Sequence, residues 1–205
     1  MASVEHKTNP KIAKAFNNLR KLPAFSLADA KAAGLSQPTV SRLLQRGVLV
    51  RVGPRLYQFS DADFDPGSAD YIIATKLFGA HSVIGGLTAL FHYGLIDDVP
   101  EQIWVLVPPT VRTTANLYRM VRTTRNLSHG IKRHAGYKMV DIERAIIDAF
   151  IYGSKVGMSR GIACAIRALR DKKTTEKRIF ELAERMGVLD KIARHWDVIT
   201  IAVER

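Results

Sequence analysis

One cysteine, Cys164, in a chain of 205 residues rules out an internal disulfide and any cysteine-cluster metal site, so a secreted disulfide scaffold and a zinc finger are both excluded. No apolar run approaches the roughly 18 to 20 residues that a membrane span needs, and the longest, such as Ile103 to Pro109, are strand-sized. The amino terminus, MASVEHKTNP, has no apolar signal core. A reducing cytoplasm is the expected setting, with no membrane partner. The six histidines (6, 81, 92, 129, 134 and 195) show no His-x-x-x-His spacing, which speaks against zinc. Gly85-Gly86 is too short a glycine signal for a phosphate loop, and Cys164 within Ile162-Ala163-Cys164-Ala165-Ile166 reads as a buried helix residue. No nucleophile–base pair is legible, so no enzyme activity, cofactor or metal is expected.

Acids are scarce as well, and their distribution is uneven. The chain carries 31 Lys and Arg against 19 Asp and Glu, a net charge of +12, which favours a polyanionic partner. Residues 1–60 hold ten basic and two acidic side chains, 61–109 one and seven, 110–138 seven and none, and 139–205 thirteen and ten. Two basic blocks thus flank an acidic stretch. At 47% hydrophobic residues the chain has enough apolar surface to bury a core. Its length suits one large or two small domains, at roughly 100 to 200 residues each. The turn-rich run from Ser60 to Ser68 predicts a linker, giving domains at 1–62 and 68–205.

The first block has the punctuation of three helices. Asn9-Pro10 can serve as N-cap and first helical residue of a helix to Leu22, with Ile12, Phe16 and Leu19 at helical spacing and Pro23 as its stop. Ser26 with Asp29 forms a shortened capping box for a second helix, which Gly34 can end in a left-handed conformation. Ser36 and Pro38 open a third helix running to Gly47. Small Ala30 falls where two helices must cross, Gly34 where a tight turn is needed, and Leu35, Val40 and Leu43 where the later helix packs on the earlier one. That is the steric pattern of a helix-turn-helix.

On the third helix, Val40, Leu43 and Leu44 share an inward face. Arg42 and Gln45 are sent outward, with Gln37, Thr39, Ser41 and Arg46 beside them, and no acid lies among them. Arg can bind guanine bidentately, Gln can bind adenine likewise, and hydroxyls reach bases or phosphates. Val48 to Phe59 then forms two β-rich runs around Gly53-Pro54, a hairpin wing with Arg51 and Arg55 astride its turn as phosphate contacts and Leu49, Leu56 and Phe59 covering the helices. The fold class expected is α+β: an amino-terminal winged helix-turn-helix followed by a mixed α/β domain with a helical carboxyl-terminal tail. In the second domain the pattern predicts helices over 69–79 and 85–93, strands over 101–107, 117–123 and 131–140 (turning near Ala135-Gly136), and helices over 141–152, 159–169, 174–186 and 189–196.

The order of these motifs resembles the AbiEi-type antitoxins of bacterial type IV toxin–antitoxin (abortive infection) operons. Gly47-Val48-Leu49-Val50-Arg51-Val52-Gly53-Pro54-Arg55-Leu56-Tyr57 is close to the family's Gly-Leu-hydrophobic-Arg-x-x-x-Arg-Gly-hydrophobic-Tyr. Further on, Ser82 to Leu90, His92-Tyr93-Gly94-Leu95, Pro100, Ile103-Trp104-Val105 and Val140-Asp141-Ile142-Glu143-Arg144 with Asp148 continue the likeness, which covers about residues 20 to 150. Two positions depart: the family usually has Ser in place of Gly85 or Gly86, and its wing often has Gly where this chain has Arg55. The resemblance implies a repressor of its own operon that binds double-stranded operator DNA with inverted repeats, and that counters a nucleotidyltransferase-like toxin through its second domain. The alternative is a stand-alone winged-helix regulator whose second domain senses an effector.

Two other clusters invite attention. Asp141, Glu143 and Asp148 have the composition of a catalytic carboxylate group, but helix geometry makes Asp141 an N-cap, puts Glu143 where the helix dipole favours an anion, and pairs Arg144 with Asp148 at i,i+4. The second basic block, Arg112, Arg119, Arg122, Arg125, Lys132 and Arg133 with Lys138, can extend a DNA footprint, meet the toxin or its RNA substrate, or be a solvated sheet face.

Overall fold

The computed structural model describes residues 10–62, 64, 66–112 and 115–204, without the side chains of residues 10–12 and 66. The expected cap at Asn9 and the Ile12 side chain lie outside the described residues. Two compact units emerge, Met1–Leu77 and Phe78–Arg205. The last three residues of the turn-rich run at 60–68 already belong to the helix Pro66–Phe78, because a proline suits the first turn of a helix, and the division between the units falls at that helix's last residue. Within the first unit this helix is tied back by Lys76, whose Nζ lies 3.4 Å from Asp29 Oδ2, and by Leu77, which packs against Gly53.

The first unit runs α1 (Pro10–Leu19), β1 (Phe25–Ser26), α2 (Leu27–Ala32), α3 (Gln37–Gln45), β2 (Leu49–Gly53), β3 (Leu56–Phe59) and α4 (Pro66–Phe78). Helix α1 ends three residues before the predicted Leu22, where Leu22 N–H bonds back to Leu19 O in a closing turn. Strand β1 is too short to show a period in sequence; it pairs antiparallel with β3, which pairs with β2, giving the order β1-β3-β2. The helices close over this sheet because each contributes apolar residues at helical spacing. Leu19, Phe25, Ala30, Leu35, Val40, Leu49 and Phe59 are all buried in one cluster, and Leu43 and Leu44 pack against it. The rings of Phe16 and Phe25 approach Phe59 at 5.5 and 5.8 Å, the separation at which tilted aromatic pairs attract. This set of helices and strands is compatible with a winged helix-turn-helix.

The second unit holds β4 (Val83–Ile84), α5 (Gly86–His92), β5 (Ile103–Val107), β6 (Tyr118–Arg122), β7 (Ile131–His134), β8 (Tyr137–Val140), α6 (Ile142–Ile151), α7 (Gly153–Val156), α8 (Met158–Arg170), α9 (Glu176–Arg185), α10 (Leu189–Ala193) and α11 (Trp196–Val203). Its sheet is mixed, in the order β6-β5-β4-β8-β7. Strands β5 and β6 are parallel, as are β4 and β8, while β4–β5 and β7–β8 are antiparallel. Helix α6 is enclosed: Ile142 to Phe150 are all buried, as expected of a helix with neighbours on every side. The α/β layout with a helical tail agrees with the pattern read from sequence. The two-residue β4, the one-turn α7 and the last helix beyond Trp196 were not among the predicted elements.

Candidate nucleic-acid interface

Helix α2 starts with a complete capping box: Asp29 N–H donates to Ser26 Oγ at 3.1 Å and Ser26 N–H to Asp29 Oδ2 at 2.8 Å. Two otherwise unpaired backbone donors are satisfied by this exchange. The Ser26 backbone holds the Asp29 carboxyl below its ordinary range, with Lys76 adding to the effect. Asp29 is the one acid between residues 6 and 60, so the single local negative charge is committed to the fold. Gly34 then turns the chain at φ +97°, and Ser36 Oγ caps α3 by accepting from Thr39 N–H at 3.4 Å.

Because Val40 is buried, with Leu43 and Leu44 against the core, the opposite face of α3 has to point outward. Gln37, Ser41, Arg42, Gln45 and Arg46 are exposed. Thr39 is half-buried and shares a 2.9 Å hydroxyl contact with Ser36. Arg42 donates Nε–H to Pro38 O at 3.4 Å, an in-helix contact that leaves its terminal Nη groups for another partner. The outcome is about two and a half turns of helix offering donors and acceptors with no carboxylate among them.

The hairpin supplies the remaining two cations, both exposed. Arg51 is paired across the strands with Tyr57, and its guanidinium lies 5.9 Å from that ring. The register shifts between Arg51 and Gly53, a bulge of the kind that bends a strand pair. Gly53 pairs with Leu56, so Pro54 and Arg55 form the tip. Arg55 carries φ +59°, a left-handed conformation that costs an L-residue roughly 1–2 kcal/mol. This is the wing position at which the family pattern often has Gly: the backbone there asks for glycine and the chain places a cation instead.

The second basic block does not form one surface. In β6, side chains alternate, so Arg119 and Arg122 point to opposite faces. Arg119 lies 6.0 Å from the Trp104 ring, while Arg122 Nε donates to Val111 O at 3.2 Å and Arg112 Nη1 to Pro109 O at 3.4 Å. Lys132 sits 5.5 Å from the Tyr93 ring, opposite to its neighbour Arg133. Arg125, Arg133 and Lys138 do come together, lining one cleft of about 530 Å³ with His81. Of these, His81 was not among the predicted residues, since nothing in the local sequence links it to positions 125–138. What brings it there is the parallel β4–β8 pairing.

The carboxylates of α6 are engaged as structural groups. Asp141 caps the helix, accepting from Arg144 N–H at 2.8 Å. Glu143, 4% exposed, accepts from Thr174 Oγ1 at 2.7 Å and pairs with Arg178 Nη2 at 2.9 Å. Arg144 and Asp148 are both fully buried, 2.8 Å apart. Burial pushes the Asp148 carboxyl up to about 6, against the pull of Arg144. Cys164 is buried, its thiol pushed up to about 11 by that burial. Among the described residues, no three His, Cys, Asp or Glu gather to hold a metal ion, and no helix is long and apolar enough to cross a membrane.

Comparison with known proteins agrees with the resemblance read from sequence. Residues 15–60 match the model of a family described as a transcriptional regulator, AbiEi antitoxin. The match covers the second half of α1, β1, α2, α3 and the hairpin; the likeness from residue 82 onward rests on its own motifs. Among solved structures, the crystal structure of the RV2827C protein from Mycobacterium tuberculosis superimposes with a TM-score of 0.60 at 16% identity, covering 90% of this chain and 78% of that one. The two share a fold. No curated protein sequence matches the chain.

Proposed function

We propose that this chain is a winged helix-turn-helix repressor that reads duplex DNA with α3, and an antitoxin that counters a nucleotidyltransferase-like toxin encoded beside it. The exposed, acid-free face of α3 is the observation that carries the first half. A helix of this width fits the major groove, where Arg42 can take a guanine and Gln45 or Gln37 an adenine, each bidentate pair being worth about 1–3 kcal/mol of discrimination. Ser41, Thr39 and Arg46 are placed for neighbouring bases or phosphates, and Arg51 and Arg55 for the backbone, where contacts position without reading sequence. The partner in this reading is operator DNA with inverted repeats, which requires two copies of the chain to bind together, one on each half-site. The antitoxin half draws on the family matched by residues 15–60 and on the motifs from Ser82 to Asp148.

The division of labour assigns sequence reading to residues 1–62 and neutralisation to residues 68–205. In cells carrying a reporter under the chain's own upstream region together with the neighbouring gene, full-length Arg42→Ala is expected to lose repression and to keep growth rescue. Loss of both together, with the protein folded and present at wild-type level, contradicts the division. Absence of an adjacent nucleotidyltransferase frame removes the antitoxin half and leaves the regulator.

A further inference from the structure

The cleft of the second unit goes beyond the reading of α3 and stands without it. It opens at one end of the sheet, past the carboxyl ends of parallel β5 and β6, through Pro108 and Thr123. In open α/β sheets such a crevice is where small ligands settle. Its charge is of one sign: Arg125, Arg133 and Lys138 line it beside His81, and no carboxylate does. Among the described residues none of these four takes part in an ion pair, although Lys138 Nζ donates one hydrogen bond, to Ala80 O at 2.8 Å. Hydroxyl residues share the lining: Thr123, Thr124 and Ser128. The rest of the wall is apolar, from Pro108, Pro109, Leu127 and Ile131.

The loop that carries most of these groups is held from beneath. Arg144 Nη1, wholly buried, donates to His129 O at 2.9 Å and to Asn126 O at 3.4 Å. Gly130 at φ +66° lies so close to α6 that a Cβ there would stand 2.7 Å from Arg144 Cβ. Thr123 Oγ1 accepts from Arg125 N–H at 3.1 Å, and Asn126 Oδ1 from Ser128 N–H at 2.8 Å. A buried charge costs several kcal/mol in desolvation. Here the Nη1 bonds go to the backbone of the cleft's own loop, which fixes that loop, and Arg125 on it, before anything binds; Arg133 and Lys138 are carried by the paired strands β7 and β8, and such preorganisation raises affinity.

We propose that this cleft binds a nucleoside bearing a phosphate, with the phosphate on Arg125, Arg133 and Lys138 and the apolar wall against the nucleoside. About 530 Å³ exceeds what a bare phosphate fills and falls in the range of small-ligand sites, about 300–1,000 Å³. Cations with a planar fork and adjacent hydroxyls are the groups that take phosphate. The same chemistry is offered by a free nucleotide and by the phosphorylated end of a strand.

The test is isothermal titration of the full chain with ATP, adenosine, inorganic phosphate, and a short single-stranded oligonucleotide with and without a 5′-phosphate. ATP or the phosphorylated oligonucleotide should bind saturably, at least about tenfold more tightly than its unphosphorylated counterpart and than inorganic phosphate. Saturation by ATP identifies a free nucleotide as the source; saturation by the phosphorylated oligonucleotide alone identifies a strand end. The double substitution Arg125→Gln/Arg133→Gln, both on exposed side chains, should weaken that binding by about tenfold or more with an unchanged melt and unchanged operator binding. Lys177→Gln, at a well-exposed position on α9, should bind as wild type. The proposal is overturned if phosphorylated and unphosphorylated ligands bind alike, if inorganic phosphate matches ATP, if the double variant binds as wild type, or if an unphosphorylated blunt duplex displaces the ligand. Arg42→Ala leaves this titration unchanged in every case, which separates its outcome from that of the operator reading.

Discussion

Arg42 in the first unit and Arg144 in the second carry the same guanidinium in opposite surroundings. Arg42 is exposed on α3, with one in-helix contact to Pro38 O. Arg144 is wholly buried, with Asp148 and two loop carbonyls as its partners. A surface cation costs the fold little and is left for a partner, whereas a buried one commits its hydrogen bonds to architecture. The comparison separates display from support: α3 and the hairpin present charge, and α6 positions a loop that presents it.

The largest effect that would break this contrast is expected at Asp148. Asp148→Ala leaves the Arg144 charge buried without a counter-ion or acceptor, and should destabilise the second unit by about 3–5 kcal/mol at neutral pH in denaturant melts. The penalty should grow as pH falls, because wild type gains stability on protonation and the alanine variant does not. Burial raises the Asp148 carboxyl from 3.8 to about 6, with Arg144 and Arg125 opposing and Asp141 adding to the rise. The folded state therefore favours the protonated acid, and the stability this group contributes is fully present below pH 3.8 and lost as pH rises through about 6. A pH-independent difference would show that Asp148 stays ionised throughout that window.

Next in size is Gly130→Ala. The added methyl meets Arg144 Cβ at 2.7 Å and Leu182 Cδ2 at 2.9 Å in a left-handed backbone, and overpacking together with the conformational cost amounts to roughly 2–4 kcal/mol. Thermal melts of the variant check this, and a wild-type midpoint would mean that the loop can lift from α6 without cost.

The smallest shift should come from the wing. Arg55→Gly relieves the positive φ at residue 55 and should raise stability by up to about 1 kcal/mol. It should also lower the slope of log affinity against log salt for duplex DNA by about 0.9, the share of one phosphate contact. A more stable protein with an unchanged slope would take Arg55 off the DNA and leave its strained backbone without a functional counterpart.

These contrasts were unequally legible in the sequence. Capping signals are local chemistry, so Ser26 with Asp29 and Ser36 before Pro38 located α2 and α3, and the apolar spacing of Val40, Leu43 and Leu44 gave the outward face of α3 directly. Asp141 as a cap and Arg144 with Asp148 at i,i+4 were equally local. Sequence gave no sign that the Arg144 pair would be wholly buried, because its enclosure depends on helices packed from distant parts of the chain. The acid-free run from 110 to 138 was visible as charge, but strand alternation and the β4–β8 pairing distribute it, sending Arg119 and Lys132 away from Arg125 and Arg133 and bringing in His81. Strands of two residues, such as β1 and β4, carry no period to read and exist only through their partners.

Whether α3 reads sequence is tested most directly by one ratio: the dissociation constants of the full chain for a scrambled duplex and for the duplex upstream of its own reading frame, at one salt concentration. The expected ratio is about 10³ or more. It should fall by roughly tenfold or more in Arg42→Ala, which removes a base contact worth about 1–3 kcal/mol, and hold steady in Arg51→Ala, which weakens both duplexes alike. A wild-type ratio near one, or a ratio that Arg42→Ala leaves intact, would contradict the reading.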